Sequence, residues 1–293
     1  MTTTPEFIAS YWTLAGNVVP LGPPELEASP HDFRERVEVA ARLGYCGVGF
    51  MRSDLLQIRR QYDWSAIRTV LAEYGMKYLE LEFLVGWIAD GEEYAQAEIV
   101  LDDMLAAAQA LAVRHLKIGP DMHAKKWPMQ RMIDRFGGLC DKASVYGTDV
   151  VLEPVPWSNV ADLETAVALV AGAGRSNGGL LLDIWHLGRG GIAYSDIAKI
   201  PPGLIHHIEL NDADAEIRGS LIEDTINHRR FCGQGIFDVP AFLQAVQDQG
   251  YDGPFGIEII SEIERRRPFA DVAADAIRTA RNEFAKLDAE RGK

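Results

Sequence analysis

Eight apolar, strand-like runs alternate with longer amphipathic stretches along this 293-residue chain. That rhythm predicts an α/β protein, a single (β/α)8 TIM barrel spanning residues 1–293. Two further observations point the same way. Most repeats run to about 30 residues or more, enough for a strand and a returning helix. No GxGxxG segment follows the first strand, which disfavours the alternative of a doubly wound open sheet.

The elements follow in order. The first strand is FIASYW from Phe7. The helix HDFRERVEVAARLG, from His31, has an Asp near its start and ends on Gly44, a suitable C′ residue. The second strand, CGVGFM from Cys46, is followed by DWSAIRTVLAEYG from Asp63, which ends on Gly75 in the same way. KYLELEF from Lys77 precedes EEYAQAEIVLDDMLAAAQALAV, a long, Ala-rich amphipathic helix from Glu92. HLKIG from His115 is the fourth strand and MQRMIDRFGGLCDKASVYG its helix. DVVLEP from Asp149 leads to DLETAVALVAGAG. GLLLDIW from Gly179 is followed only by a short helical stretch around Tyr194 to Ile200. IHHIEL from Ile205 and FGIEII from Phe255 complete the strands, with DVPAFLQAVQDQGYDG from Asp238 between them. DVAADAIRTARNEFAKL, from Asp271, closes the chain.

The composition, 47% apolar and 25% charged, is that of a globular protein able to bury a large core without staples. With 29 basic against 43 acidic residues the net charge is −14. That balance argues against nucleic acid and anionic membrane surfaces as partners, since both call for basic patches. Cys46, Cys140 and Cys232 are widely spaced with no CxxC pair, so neither a disulfide framework nor a thiolate zinc site is expected. The N-terminal MTTTPEF has no basic and apolar signal pattern, and there is no run of 18 apolar residues. The expected setting is the reducing cytoplasm, the expected partner a small molecule, and homo-oligomerisation is left open.

Four acidic residues end the last four predicted strands: Glu153 in VVLEP, Asp183 in GLLLDIWH, Glu209 in IHHIELND and Glu258 in PFGIEII. Each follows an apolar run, where an ionised carboxylate is costly without a partner. In a barrel these positions lie at the mouth, where active sites are built. Their convergence predicts a shared site, and a divalent cation is the natural partner for several carboxylates. Alternation along the seventh strand puts His207 on the face of Glu209, one layer deeper, where a core or supporting role is expected. Glu80 and Glu82 share one face of strand three, and His115 and Lys117 one face of strand four. Glu82 is a candidate for the pocket wall and Lys117 for offsetting surplus negative charge there. Trp12, Trp87, Trp157 and Trp185 fall at or just after strand ends, where an aromatic face would suit the C–H surface of a polyol. There is no glycine-rich phosphate cradle.

On these residues the chain resembles the sugar phosphate isomerase/epimerase family, the xylose isomerase-like TIM barrels. That group includes ketose 3-epimerases, hydroxypyruvate isomerase, inosose dehydratase and 3-dehydroshikimate dehydratase. The motifs are LEP at Glu153, DIWH from Asp183 to His186, HIELND around Glu209, RRFCGQG from Arg229 to Gly235 and GIEI at Glu258. The resemblance implies that Glu153, Asp183 and Glu258 ligate Mn²⁺ or Mg²⁺, ahead of Zn²⁺ or Co²⁺. It implies that His186 contacts substrate or orients a ligand, and that Arg229, with Arg230 as its rival, grips a substrate oxygen. Trp185 joins the substrate-binding set, and the GQG segment is read as structural. One position departs from the pattern. Family members usually carry His, and some Gln, where this chain has Glu209. Glu209 either ligates the metal, the favoured reading, or stands off as an acid/base.

The implied chemistry is isomerisation or epimerisation of a ketose, keto-polyol or related hydroxy-carbonyl compound through an enediolate. Glu153 and Glu258 would move the proton. A lyase on the same site, either a keto-cyclitol or dehydroshikimate dehydratase or a 3-keto-glycoside eliminase, is the alternative.

Overall fold

The computed structural model describes residues 4–292; Met1 to Thr3 of the MTTTPEF segment and Lys293 lie outside the described residues. Its strands are β1 (Phe7–Ala9), β2 (Gly47–Met51), β3 (Tyr78–Leu84), β4 (His115–Ile118), β5 (Asp149–Leu152), β6 (Gly178–Asp183), β7 (Ile205–Leu210), β8 (Asp212–Ala213), β9 (Arg229–Arg230) and β10 (Phe255–Ile257). Eight of them close a barrel in the order β1-β10-β7-β6-β5-β4-β3-β2, while β8 and β9 form a separate antiparallel pair. The (β/α)8 fold class predicted from the strand–helix rhythm is therefore the fold observed. All eight runs became barrel strands, but several are shorter than the apolar runs. FIASYW is a strand only to Ala9, and Tyr11–Leu14 is already a turn of helix. Glu153 and Glu258 each stand one residue past their strands. Ile184 and Trp185 belong to a short helix, Ile184–Arg189, rather than to β6. Short helices at Pro24–Glu27, Arg52–Ile58 and Leu221–Asn227 carry no long apolar period and were not anticipated.

The chain divides into two compact units. The first comprises residues 1–79, 209–244 and 253–293. Its helix Phe33–Leu43 begins where the Asp32 side chain accepts the Arg34 and Glu35 N–H groups, and it ends on Gly44 at φ 92°. The long helix Phe269–Arg291 packs Phe284 edge-on against Phe7 and Phe255. The buried Tyr45 hydroxyl donates to the Ala273 carbonyl of the same helix, 2.9 Å away. Asp212 ties the GQG turn down by accepting the N–H groups of Gly235 and Phe237 at 2.8 and 2.9 Å. Gly235 is required there, because a Cβ would meet the Ala213 carbonyl oxygen at 2.0 Å.

The second unit comprises residues 80–208 and 245–252. It contains the helices Gly91–Leu111, Met129–Ser144 and Leu163–Ala173, the last capped by Asp162 on the Thr165 N–H. Its strands run parallel in register, with Lys117 opposite Val151 and Ile118 opposite Leu152. Between β3 and β4 the register slips: Leu81 pairs with Leu116 but Leu84 with Ile118, so Glu82 and Phe83 together stand opposite Lys117. Among the described residues no helix is long and apolar enough to cross a membrane.

Candidate metal centre and active site

In the second unit, Glu153, Asp183 and His186 are all buried and offer ligand atoms that lie within 4.8 Å of one another. Glu153 follows β5 directly, its N–H held by the Ile118 carbonyl at 3.0 Å. Asp183 ends β6 and caps the next helix, accepting the Trp185 N–H at 2.7 Å. A strand-end Asp that also starts a helix has its backbone defined on both sides, which fixes where its carboxylate can point. His186 sits in the first turn of that helix. Its Nε2 lies 3.3 Å from Glu153 Oε1, and its buried Nδ1 has no hydrogen-bond partner among the described residues. Glu153 Oε1 is likewise buried without a hydrogen-bonded donor. Trp185 is fully buried, its ring edge-on to Trp157 and His186 at 6.2 and 5.2 Å.

In the first unit, Glu209 and Glu258 each bring a carboxylate oxygen within 4.8 Å of the other. Both side chains are buried. Glu209 accepts the Ser10 hydroxyl at 3.1 Å. Glu258 accepts from Arg229 Nη1 at 2.7 Å, and Arg229 is in turn held by Thr225 Oγ1 through Nε and Nη2 at 3.1 and 2.9 Å. Arg229 is thus engaged with Glu258 and Thr225, while Arg230 pairs with Asp214 at 2.9 Å. Ser10, Thr225 and Asp212 were not singled out from the sequence. Ser10 alone carried a usable signal, as the one polar residue within the first apolar run, FIASYW.

The second unit also buries a charged layer of its own. Glu80, His115 and His207 have no exposed surface, and Lys117 is 1% exposed. Lys117 Nζ is 2.8 Å from Glu80 Oε1 and 3.5 Å from Glu82 Oε1. Glu80 Oε2 lies 3.3 Å from His115 Nε2 and 3.2 Å from His207 Nε2. Arg114 Nη1 lies 2.9 Å from His115 Nδ1. A guanidinium only donates, so the network assigns the His115 proton to Nε2, facing Glu80. Burial alone would push the Glu80 carboxyl up. The charge of Lys117, followed by His207, outweighs it and holds the group well below the usual carboxylate range. Burial and then His207 keep His115 well below the usual imidazole range. Burial likewise lowers His207 to about 4 against the pull of Glu80. Glu80, His115 and His207 are close enough to hold a cation, but Lys117 already supplies the positive charge at that place.

Over residues 37–283 the chain matches the family described as xylose isomerase-like TIM barrel. It belongs to that family. It is 27% identical over 253 residues to a 3-dehydroshikimate dehydratase of Pseudomonas aeruginosa, covering 84% of this chain but only 39% of that protein. It is 26% identical over 247 residues to an inosose isomerase of Halalkalibacterium halodurans, covering 75% of this chain and 85% of the relative. Among solved structures it is similar to an IOLI protein with a binding zinc atom, at a TM-score of 0.83 and 20% identity, over 96% of this chain and 99% of the other. That likeness is one of fold. Both sequence relatives are enzymes, one a dehydratase and one an isomerase.

Proposed function

We propose that this protein is a divalent-metal-dependent isomerase or epimerase of a ketose, keto-polyol or related hydroxy-carbonyl compound, with Glu153, Asp183, Glu209 and Glu258 as the metal ligands. The reading is carried by the crowding of carboxylates within each unit at the ends of β5, β6, β7 and β10, consecutive strands in the barrel order. Buried acids this close repel one another and are expensive to keep without a cation. Glu153 Oε1, buried and without a hydrogen-bonded donor, is the kind of atom a metal would satisfy. All four proposed ligands are oxygen donors, which suits Mg²⁺ or Mn²⁺ better than Zn²⁺. Four carboxylates exceed the charge of a divalent ion by two. Arg229 on Glu258 offsets one of these.

When bound, such an ion polarises a carbonyl and acidifies the neighbouring C–H. The chain supplies the rest. One of Glu153 and Glu258 takes the proton from the carbon beside the carbonyl, and the other, already carrying a proton from solvent, gives that proton to a different carbon or face. Arg229 keeps the Glu258 carboxylate aimed. The buried Nδ1 of His186 is available for a substrate oxygen, and Trp185 packs its ring against that imidazole.

A second reading, a dehydratase on the same site, is favoured by the relative that aligns with 84% of this chain. Proton removal is common to both reactions; loss of a β-hydroxyl instead of reprotonation makes the difference. Incubating the Mn²⁺-loaded protein with inosose or 3-dehydroshikimate in D₂O, followed by NMR, separates them. Solvent deuterium in an isomeric ketone supports the isomerase. An unsaturated product without isomerisation supports the lyase. Neither product, with no C–H exchange in either compound, rejects both.

A further inference from the structure

Strand β1 stops just short of the carboxylates, and one helical turn takes its place beside Glu258. The β1–β10 register sets Phe7 against Phe255, Ile8 against Gly256 and Ala9 against Ile257. One step further would set Ser10 opposite Glu258. In a parallel ladder a residue at that position donates its N–H to the residue before its partner and accepts from the residue after it. Ser10 makes the first of these bonds, to the Ile257 carbonyl at 3.2 Å. It does not make the second. Its carbonyl accepts the Thr13 N–H at 3.1 Å instead, as the chain coils into Tyr11–Leu14.

The Thr13 side chain fills the gap. Its Oγ1 accepts the Ile259 N–H at 3.0 Å and donates to the Ile257 carbonyl at 2.7 Å. One hydroxyl thus grips the backbone on both sides of Glu258. The Glu258 N–H is itself held by the Leu210 carbonyl of β7 at 3.1 Å. Ser10 acts on the neighbouring acid. It stands at the N-cap of the turn, where a serine ordinarily accepts from the first N–H groups of its own helix. It makes no such bond, and its hydroxyl donates to Glu209 Oε1 at 3.1 Å. Both residues are buried, so neither hydroxyl is there to meet solvent. Completing the ladder accounts for Thr13 alone. It does not account for a cap serine that turns from its cap to a carboxylate. The two hydroxyls, three residues apart in one turn, act on the two acids whose oxygens come within 4.8 Å of each other.

We propose that Ser10 and Thr13 are positioning residues of the metal centre. The turn fixes the Glu209 carboxylate directly and Glu258 through its backbone, and so sets the spacing of the two. The inference rests on the proposed reading of Glu209 and Glu258 as ligands.

Equilibrium dialysis of the full chain against Mn²⁺, with melting in EDTA as the measure of folding, tests it. Ser10→Ala and Thr13→Val should each weaken Mn²⁺ binding about tenfold or more, the scale for losing a group that orients a ligand. Thr13→Ser keeps the hydroxyl and should bind Mn²⁺ like the unaltered protein. A purely structural hydroxyl would lower melting in EDTA and leave the affinity where it was. Unchanged Mn²⁺ affinity in Ser10→Ala, or in a folded Thr13→Val, would therefore overturn the proposal. Equal weakening in Thr13→Ser would trace the effect to the lost methyl group and overturn it too. Should Thr13→Val not fold, Ser10→Ala decides, because it removes no ladder bond. No Mn²⁺ uptake by the unaltered protein would overturn the metal reading itself, and this inference with it.

Discussion

Removing one carboxylate from the Glu153–Asp183 pair should make the metal-free protein more stable while it destroys function. Ligand oxygens of the two acids lie within 4.8 Å of each other in a buried setting. At an effective dielectric constant of about 20, two like charges at that separation repel by on the order of 3 kcal/mol. His186, 3.3 Å from Glu153, offsets part of this when protonated. For a domain of this size 1 kcal/mol is worth roughly 2 °C in melting temperature. Glu153→Gln, nearly isosteric, should therefore raise the melting temperature in EDTA by about 2–6 °C. Adding Mn²⁺ should raise the melting temperature of the unaltered protein, since a ligand of the folded state stabilises it by mass action. That shift should shrink sharply in the variant. Differential scanning fluorimetry with and without EDTA reads both effects. A Glu153→Gln protein that melts earlier in EDTA, with an undiminished response to Mn²⁺, would show that Glu153 is an ordinary structural acid and refute the reasoning.

Other outcomes follow from the same contacts. Arg229→Met should destabilise the metal-free protein by about 3 kcal/mol or more, because it strands the buried Glu258 that Arg229 holds at 2.7 Å; denaturant titration measures it. Stability should fall on acidification from near pH 6.5 toward pH 4. There the unfolded chain protonates His207 while the folded chain, with that group lowered to about 4, does not. Below the ordinary Glu value of 4.5 a further loss should appear as pH falls toward the depressed folded value of Glu80. Melting curves from pH 7.5 to 4 should show the fall, and His207→Gln should flatten its first part. Glu209→His should retain Mn²⁺ uptake and turnover if Glu209 is a ligand. Metal retained with turnover lost, measured by elemental analysis and the D₂O assay, would make Glu209 an acid/base instead.

The barrel was legible because its strands are runs of Val, Ile and Leu with helical periods between them, and these are local signals. The helix ends at Asp32, Gly44, Asp63, Asp162 and Gly174 were legible for the same reason, through capping chemistry. The strand-end acids stood out because an acid closing an apolar run violates the local pattern. What remained hidden was set by partners distant in the chain. Nothing near Arg229 announces that it reaches Glu258, 29 residues on. Nothing near Ser10 points to Glu209, 199 residues away. The β3 bulge arises from pairing with β4, and LELEF reads as simple alternation. The helical turn at Tyr11–Leu14 was masked by apolar residues that suit either strand or helix when the run is short.

Equilibrium dialysis against Mn²⁺ with elemental analysis asks most directly whether the four strand-end acids form one metal centre. One ion per chain is expected for the unaltered protein, and almost none for a folded Asp183→Asn/Glu258→Gln variant. No uptake by the unaltered protein, or equal uptake by the variant, would contradict it.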